Sequence, residues 1–126
     1  MIPVEDRGQG EKHGLTIGMW HSEVCPVIGL QGELQAETVD DFFDQMGRVL
    51  ADRPDVVVVD VSRVAFCDFD GVAALVGAYR RARQLGAWLV LAGAQGRCAQ
   101  TLHRTGLDQI LRPLPAEVAA GAALPV

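Results

Sequence analysis

Four consecutive valines at positions 56–59 constrain the fold of this chain more than any other feature. Side chains branched at Cβ favour strands, and an unbroken apolar run is typical of a strand buried on both faces, as in a parallel sheet. A second apolar run, at positions 87–92, follows after a stretch of helical length. Parallel strands need a long crossover, which is usually a helix. The sequence therefore predicts an α/β protein with a mostly parallel sheet.

The other predicted elements alternate around these two strands. We predict, in order, an antiparallel hairpin of strands at residues 15–20 and 26–30, a helix that begins after Thr38, a strand at 56–61, a helix at about 72–85, a strand at 87–92, a helix at 95–104, a short strand at 107–111 and a helix at 115–120. Thr38 is a good N-cap with Asp41 three residues further on, and Gly86 and Gly106 are expected to close the second and third helices. The alternation predicts one mixed, mostly parallel sheet with helices packed on it.

Length and charge narrow the class of protein. The 126 residues fit one domain, which we place at residues 14–121, after an N-terminal arm at 1–13 and before a tail at 122–126. A formal charge of -5 argues against nucleic acid or an anionic membrane as the main partner. No apolar run approaches the about 20 residues that span a bilayer, and the first residues lack the apolar core of a signal peptide. We expect a cytoplasmic protein, a monomer or weak dimer, with no cofactor.

Three cysteines, Cys25, Cys67 and Cys98, lie far apart in the sequence. They form no CxxC pair, and neither they nor the three histidines show metal-ligand spacing, so we expect no metal site. The favoured interpretation is three reduced, mostly buried thiols. The alternative is a redox pair of Cys67 and Cys98, since both are predicted near the same edge of the sheet. Among the larger apolar residues, we assign Phe42, Phe43, Met46 and Trp88 to the core.

The segment from Cys67 to Gly71, Cys-Asp-Phe-Asp-Gly, joins the central strand to the second helix. In α/β proteins this carboxyl edge of the sheet holds binding groups, and a helix N-terminus there favours negative charge. We expect Asp70 to cap the helix, Asp68 to orient the loop through backbone amides, and Phe69 to be an exposed anchor for a partner. Residues 64–99 contain no Ser, Thr or Lys.

A phosphoaspartate receiver has similar length and alternation, and Asp60, Asp68 and Asp70 resemble its acidic pocket superficially. Such a protein also needs an acidic pair after the first strand and a lysine late in the chain. The single lysine here is Lys12, in the N-terminal arm. The receiver hypothesis is therefore poor.

A cysteine phosphatase needs an arginine six positions after its cysteine, in a loop that cradles phosphate. The residue six positions after Cys67 is Ala73, and an acidic neighbour raises the pKa of the thiol. The sequence also contains no phosphate-binding GxxxxGK[ST] loop. We therefore expect no enzymatic activity.

Several segments, in this order and spacing, resemble the STAS domain family. They are Ile-Gly-Leu-Gln-Gly-Glu-Leu at 28–34, the valine strand followed by Phe-Cys-Asp at 66–68, Gly71 at the start of a helix, Arg-Arg-Ala-Arg-Gln-Leu-Gly at 80–86, and Leu-His-Arg-Thr-Gly-Leu at 102–107. The resemblance covers residues 15–120. Small bacterial members of this family are anti-anti-sigma factors, also called anti-sigma factor antagonists. The resemblance implies a binding module whose partner is an anti-sigma factor of the protein-kinase-like type.

The junction departs from the family pattern, which commonly reads Asp-Ser-Ser-Gly, with the first serine phosphorylated by the partner. Asp68 and Gly71 match that pattern, while Phe69 stands at the phosphoserine position and Asp70 at the second serine. The resemblance thus implies a switch that works without serine phosphorylation, with one permanent charge at Asp70 in place of a phosphate. Gln35 likewise stands where the family usually has an aspartate in a neighbouring loop.

The expected function is therefore regulation by protein binding. The loop of Asp68, Phe69, Asp70 and Gly71, with the exposed face of the second helix, is expected to dock on an anti-sigma factor and so release a sigma factor. One alternative is a cytoplasmic STAS subunit of a membrane transport complex, in which the same surface packs on a transporter component. Another is a divergent STAS domain that binds a small ligand at the sheet edge.

Overall fold

A four-stranded sheet in the order β1-β2-β3-β4 organises residues 14–111, which the computed structural model describes. Its strands are β1 (Leu15–His21), β2 (Pro26–Leu34), β3 (Val56–Cys67) and β4 (Trp88–Ala92). β1 pairs antiparallel with β2, while β2 with β3 and β3 with β4 pair in parallel. The prediction of a mixed, mostly parallel sheet that begins with a hairpin is confirmed.

Within residues 14–111, four helices connect or follow the strands: α1 (Val39–Ala51), α2 (Phe69–Gln84), α3 (Gly96–Arg104) and α4 (Asp108–Leu111). Gly86, with φ of 82°, follows α2, and Gly106, with φ of 76°, follows α3. Both lie in the left-handed region that glycine adopts at little cost, so these two predicted helix ends are confirmed. The predicted helix at 115–120, the arm at 1–13 and the tail at 122–126 lie outside the described residues.

The start of α1 is as predicted, but the role of the Thr38 side chain is not. Thr38 is the N-cap residue, yet its hydroxyl caps no helix amide. Instead, it donates to the carbonyl oxygen of Glu33 at 2.9 Å and accepts from the amide of Gln35 at 3.0 Å. The fully buried threonine therefore fastens the end of β2 to the start of α1.

The segment predicted as a final strand, residues 107–111, is helical instead. The amide of Leu111 donates to the carbonyl oxygen of Leu107 at 2.9 Å, which is the spacing of an α-helical turn. Leu111 is buried and Leu107 packs against the same core. Residues four apart share one face in a helix as well as in a strand, so their spacing did not distinguish the two, and the local hydrogen bonds form a helical turn in place of a fifth strand.

Strands β2 and β3 both run further than predicted. β2 continues to Leu34 and β3 to Cys67, and the register between them shifts at Gly29/Gln31 and again at Gly32/Glu33. These irregularities interrupt the simple alternation of apolar and polar residues, so the strand ends predicted from that alternation were too early. As a result, the two strands finish side by side, with Leu34 opposite Cys67.

The main core lies between one face of the sheet and the helices. Phe42 and Met46, four residues apart on α1, belong to it as predicted. Phe43 and Trp88 do not: their exposed fractions are 41% and 52%. Phe43 is one residue past the buried face of α1, and Trp88 opens the edge strand β4, where the guanidinium of Arg83 stacks on its ring at 3.6 Å. The opposite face of the sheet holds a smaller apolar cluster of Cys25, Val27, Val58 and Ala92.

Candidate functional site

The junction between β3 and α2 is fastened to the end of β2. The amide of Asp68 donates to the carbonyl oxygen of Leu34 at 3.3 Å. A Cβ on Gly71 would overlap that same oxygen and would lie 2.9 Å from Sγ of Cys67. The first turn of α2 therefore sits directly on the backbone of β2, and only glycine fits at position 71 without a shift.

Asp68 is the residue that caps α2. Its backbone is extended, with φ of -89° and ψ of -171°, and its Oδ1 accepts from the amide of Gly71 at 2.8 Å. The prediction that Asp68 orients the loop through backbone amides is confirmed. The prediction that Asp70 is the cap was wrong, because α2 begins at Phe69 and Asp70 already lies in its first turn.

The next two side chains of the junction face outward. Phe69 has an exposed fraction of 77%, the highest among the large exposed hydrophobic residues. Asp70 is also exposed, and its carboxylate lies near the N-terminal end of α2, where negative charge is favourable. The loop thus presents an aromatic ring beside a carboxylate on a backbone held by Asp68 and Gly71. Such a pair is suited to protein contact, since buried aromatic anchors dominate many interfaces.

Two buried thiols meet beneath the loop. Cys67, at the end of β3, and Cys98, on α3, have exposed fractions of 1% and 0%. The pKa of Cys67 is raised above its usual value, first by a hydrogen bond with the Cys98 thiol, then by burial, and also by the charges of Cys98 and Asp68. Burial is also the main cause of a raised pKa for Cys25. All three cysteines are free and buried, as predicted.

A shallow groove opens beside the junction, between α1 and α2. Its volume is about 380 Å³, and it is lined by Ala36, Val39, Phe43, Asp70, Ala73 and Ala74. Phe43 forms part of its wall, and a Cβ on Gly77 would lie 3.4 Å from the Phe43 ring. The groove therefore continues the exposed surface of Phe69 and Asp70 along the second helix.

Sequence reasoning missed this groove because it assigned Phe43 to the core. One pattern points to it. Asp70, Ala73, Ala74 and Gly77 fall at helical spacing i, i+3, i+4 and i+7, so one face of α2 carries small side chains. Small residues along one helix face leave a depression next to the neighbouring helix, and a bulky exposed residue such as Phe43 can border it.

The acidic residues at positions 60, 68 and 70 do not form one pocket. Asp60 lies on β3, and its Oδ1 accepts from the amide of Ser62 at 2.9 Å. Seven residues of extended strand separate Asp60 from the end of β3, which places it on the order of 20 Å from Asp68. Within residues 14–111, no group of three or more His, Cys, Asp or Glu side chains is arranged to hold a metal ion. In the same range, no helix has the length and apolarity needed to cross a membrane.

The family of the chain follows from a match over most of its length. The model of the family described as "Mlab, STAS domain" matches residues 17–113. The chain belongs to the STAS domain family. A search of curated proteins finds no match. The STAS assignment agrees with the hairpin, the parallel strands and the strand-to-helix junction described above.

Solved structures share the fold of this STAS domain. An anti-sigma factor antagonist from Mycobacterium paratuberculosis is 23% identical, with a TM-score of 0.77 over 87% of this chain and 94% of that chain. The anti-sigma factor antagonist SpoIIAA in its unphosphorylated form is 15% identical, with a TM-score of 0.68 over 87% of this chain and 100% of that chain. A sulfate transporter family protein from Wolinella succinogenes is 20% identical, with a TM-score of 0.68 over 82% of this chain and 88% of that chain.

Proposed function

We propose that this STAS domain is an anti-sigma factor antagonist. In this proposal it is a regulatory binding module of the cytoplasm and not an enzyme, and it binds an anti-sigma factor of the protein-kinase-like type so that a sigma factor is released. The observation that carries the proposal is the exposed Phe69 on a junction whose backbone is fixed by Asp68 and Gly71. The similar folds of two anti-sigma factor antagonists support it.

A fixed loop suits a binding module because less conformational entropy is lost when the partner binds. Asp68 holds the start of α2 through the amide of Gly71, and the Asp68 amide holds the end of β2. Phe69 can therefore be presented in the free protein much as it would be in the complex. Burial of such a ring at the centre of an interface typically contributes about 2 kcal/mol or more to affinity.

The proposed regulation needs no serine phosphorylation of this loop. Phe69 occupies the position at which the resemblance places the acceptor serine, and a phenyl ring has no hydroxyl to phosphorylate. Asp70, next to it, carries a charge that no phosphatase removes. We therefore propose that the affinity of this domain for its partner is set by fixed chemistry at the loop and does not depend on the phosphorylation state of residues 67–71.

A second candidate function is that of a cytoplasmic STAS subunit in a membrane transport complex. The fold similarity to a sulfate transporter family protein favours it. In this candidate the same surface, Phe69 with the exposed side of α2, would pack on a transporter component. The two candidates share a binding surface and differ in the partner.

Affinity capture from native lysate, followed by mass spectrometry, separates these candidates. The full chain serves as bait, beside a Phe69→Ala variant and an Ile110→Ala control. Phe69 and Ile110 are both exposed large hydrophobic residues, but Ile110 lies on α4, away from the junction. We expect an anti-sigma factor that is recovered by the wild type and by Ile110→Ala and is depleted with Phe69→Ala.

One outcome would contradict the first candidate, and a second would contradict the anchoring role of Phe69. Recovery of permease or ATPase subunits alone would establish the transport function instead. Equal recovery of an anti-sigma factor by all three baits would show that Phe69 is not the anchor. Incubation of the captured kinase-like partner with labelled ATP should also leave residues 67–71 unmodified, and phosphate mapped to that segment would refute the phosphorylation-independent mechanism.

A further inference from the structure

The groove between α1 and α2 is lined mostly by apolar side chains, with Asp70 at one position. From α1 and the loop before it come Ala36, Val39 and Phe43, which recur at helical spacing. From α2 come Ala73 and Ala74. At about 380 Å³ the groove is near the lower end of the about 300–1,000 Å³ typical of ligand pockets, and it lies open at the surface. Its dimensions and lining suit one or two apolar side chains that project from a partner.

The rim of the groove is acidic. Four carboxylates at i, i+3, i+4 and i+7 share one face of α1 and of the turn before it: Glu37, Asp40, Asp41 and Asp44. Asp40 and Asp44 follow directly after the lining residues Val39 and Phe43, and Asp70 lines the groove from α2. Within the part of the chain that the structure describes, none of these carboxylates lies within ion-pair distance of a basic side chain, and the one such pair there joins His103 and Asp108. Among residues 14–111, the negative charge at the groove is therefore not neutralised by a neighbouring basic side chain.

The charge of the rim decides which occupant the groove fits. A second copy of this chain, docked through the same groove about a two-fold axis, would bring acidic rims together and be repelled. An anionic membrane surface would be repelled for the same reason. A polar small molecule would have one polar side chain in the lining to bind, Asp70, and would otherwise contact apolar side chains. A basic segment with an apolar face matches both the lining and the rim.

We propose that the groove between α1 and α2 binds an amphipathic helical segment of a protein partner. Apolar side chains of that segment fill the space beside Phe43 and Ala73, and flanking arginine or lysine side chains pair with Asp40, Asp44 and Asp70. Helices that dock in grooves place their anchors at i, i+3, i+4 and i+7 along one face, so successive turns of such a segment can follow a groove that runs between two helices. The inference rests on the proposed function, because it names the chemistry of the partner segment for the same binding surface.

Selection from a library of random 16-residue peptides displayed on phage tests this inference on the full chain. Peptides that bind the wild type are then tested on two groove-filling variants, Ala73→Trp and Ala36→Trp, and peptides that still bind either variant are discarded. Both alanines are exposed. We expect the surviving peptides to carry basic residues beside apolar residues at helical spacing. The tightest of them is then synthesised with a fluorophore, and its Kd is measured by anisotropy.

Charge-reversed variants supply the matched comparison. Asp40→Lys with Asp44→Lys changes the groove rim, while Asp52→Lys with Asp55→Lys makes the same change in net charge beyond the other end of α1. We expect the rim variant to weaken the peptide by about tenfold or more and the control to change its Kd by about twofold or less. Thermal melts of each variant establish that it is folded.

The proposal is overturned if no selected peptide depends on Ala73 and Ala36, if the groove-dependent peptides lack a basic excess, or if both charge reversals weaken binding equally. The proposed function is tested separately, by the identity of the captured partner and by its affinity for the rim variant. An anti-sigma factor that binds the rim variant as tightly as the wild type overturns the groove proposal and leaves the proposed function standing. A groove-dependent basic peptide with no anti-sigma factor recovered supports the groove proposal and contradicts the proposed function.

Discussion

The carbonyl oxygen of Leu34 occupies the space that a Cβ on Gly71 would need. The same oxygen accepts the amide of Asp68, so one backbone atom at the end of β2 meets both the N-cap and the first turn of α2. Any change in the position of α2 must therefore be accommodated by β2. This contact explains why the junction between β3 and α2 is held so closely while its side chains at 69 and 70 remain exposed.

Gly71→Ala should destabilise the domain. The added methyl group overlaps the Leu34 backbone and presses on Sγ of Cys67, and overpacking of this kind typically costs about 1–3 kcal/mol. Gly47→Ala is the matched control, since Gly47 lies within α1 and a Cβ there meets nothing within 4 Å. That control should stabilise by up to about 1 kcal/mol through helix propensity. Urea unfolding of both variants measures the difference, and equal stabilisation by the two substitutions would contradict the contact.

Asp68 and Asp70 should respond differently to the same substitution. Asp68→Ala removes the cap on the amide of Gly71 and should cost about 0.5–2 kcal/mol, whereas Asp68→Asn should retain most of that stability. Asp70→Ala removes only a favourable charge in the first turn, which is typically about 0.3–1 kcal/mol. Thermal melts at low ionic strength compare the three variants. A larger loss of stability for Asp70→Ala than for Asp68→Ala would show that Asp70, and not Asp68, caps α2.

Much of the architecture could be predicted from residue patterns. The valines at 56–59 and the apolar run at 87–92 indicated buried parallel strands, and the glycines at 86 and 106 marked helix ends, because each of these depends on local chemistry. The strand ends at Leu34 and Cys67 could not be read in the same way. Register shifts break the alternation of apolar and polar residues near those ends. Both strands continue because β2 and β3 pair with each other, and the pattern within one strand does not show that pairing.

The sequence predicted where the candidate site lies, but it did not predict the roles of all its residues. Its place at the junction follows from the switch from strand to helix, but the choice of Asp68 over Asp70 as cap depends on where the backbone first turns helical. The groove was missed, because the exposure of Phe43 depends on how far α1 and α2 stand apart. Separation between helices is a tertiary property, and a single helix face does not specify it.

The stability of the domain should fall as the pH rises above about 9. The pKa of Cys67 is raised in the folded state from an ordinary value of 9.0. Above that pH the unfolded chain loses the Cys67 proton while the folded chain keeps it, so the free energy of unfolding decreases, by up to about 1.4 kcal/mol per pH unit for one thiol. Below pH 8 both states hold the proton and this contribution does not change with pH.

Urea unfolding of the wild type and Cys67→Ala at intervals between pH 7 and pH 10 measures this effect. The variant loses some packing at every pH, so the comparison concerns the slope and not the absolute stability. We expect a shallower alkaline decline for Cys67→Ala. Identical slopes would show that the Cys67 thiol does not contribute.

The hydrogen bond between the thiols of Cys67 and Cys98 makes them the cysteines to test as a redox pair, but burial opposes the reaction. Oxidation by hydrogen peroxide would join the two sulfurs, reduce the peroxide to water and give two water molecules for each disulfide. The attacking species is a thiolate that the oxidant can reach. The hydrogen bond with Cys67 lowers the pKa of Cys98 while the pKa of Cys67 is raised, so Cys98 is the thiol that would ionise first, but both sulfurs are almost fully buried and out of reach of peroxide. We therefore predict that mild peroxide leaves both thiols free in the folded domain.

Non-reducing peptide mapping after peroxide treatment tests this prediction, with the same treatment in strong urea as the control. Unfolding exposes both thiols to peroxide, so linked or oxidised cysteine peptides should appear in urea and be absent from the folded sample. A peptide that joins Cys67 to Cys98 in the folded sample would instead establish the redox pair. Because that bond would tie the end of β3 to α3 directly beneath Asp68, it would then be expected to alter partner affinity at the Phe69 loop.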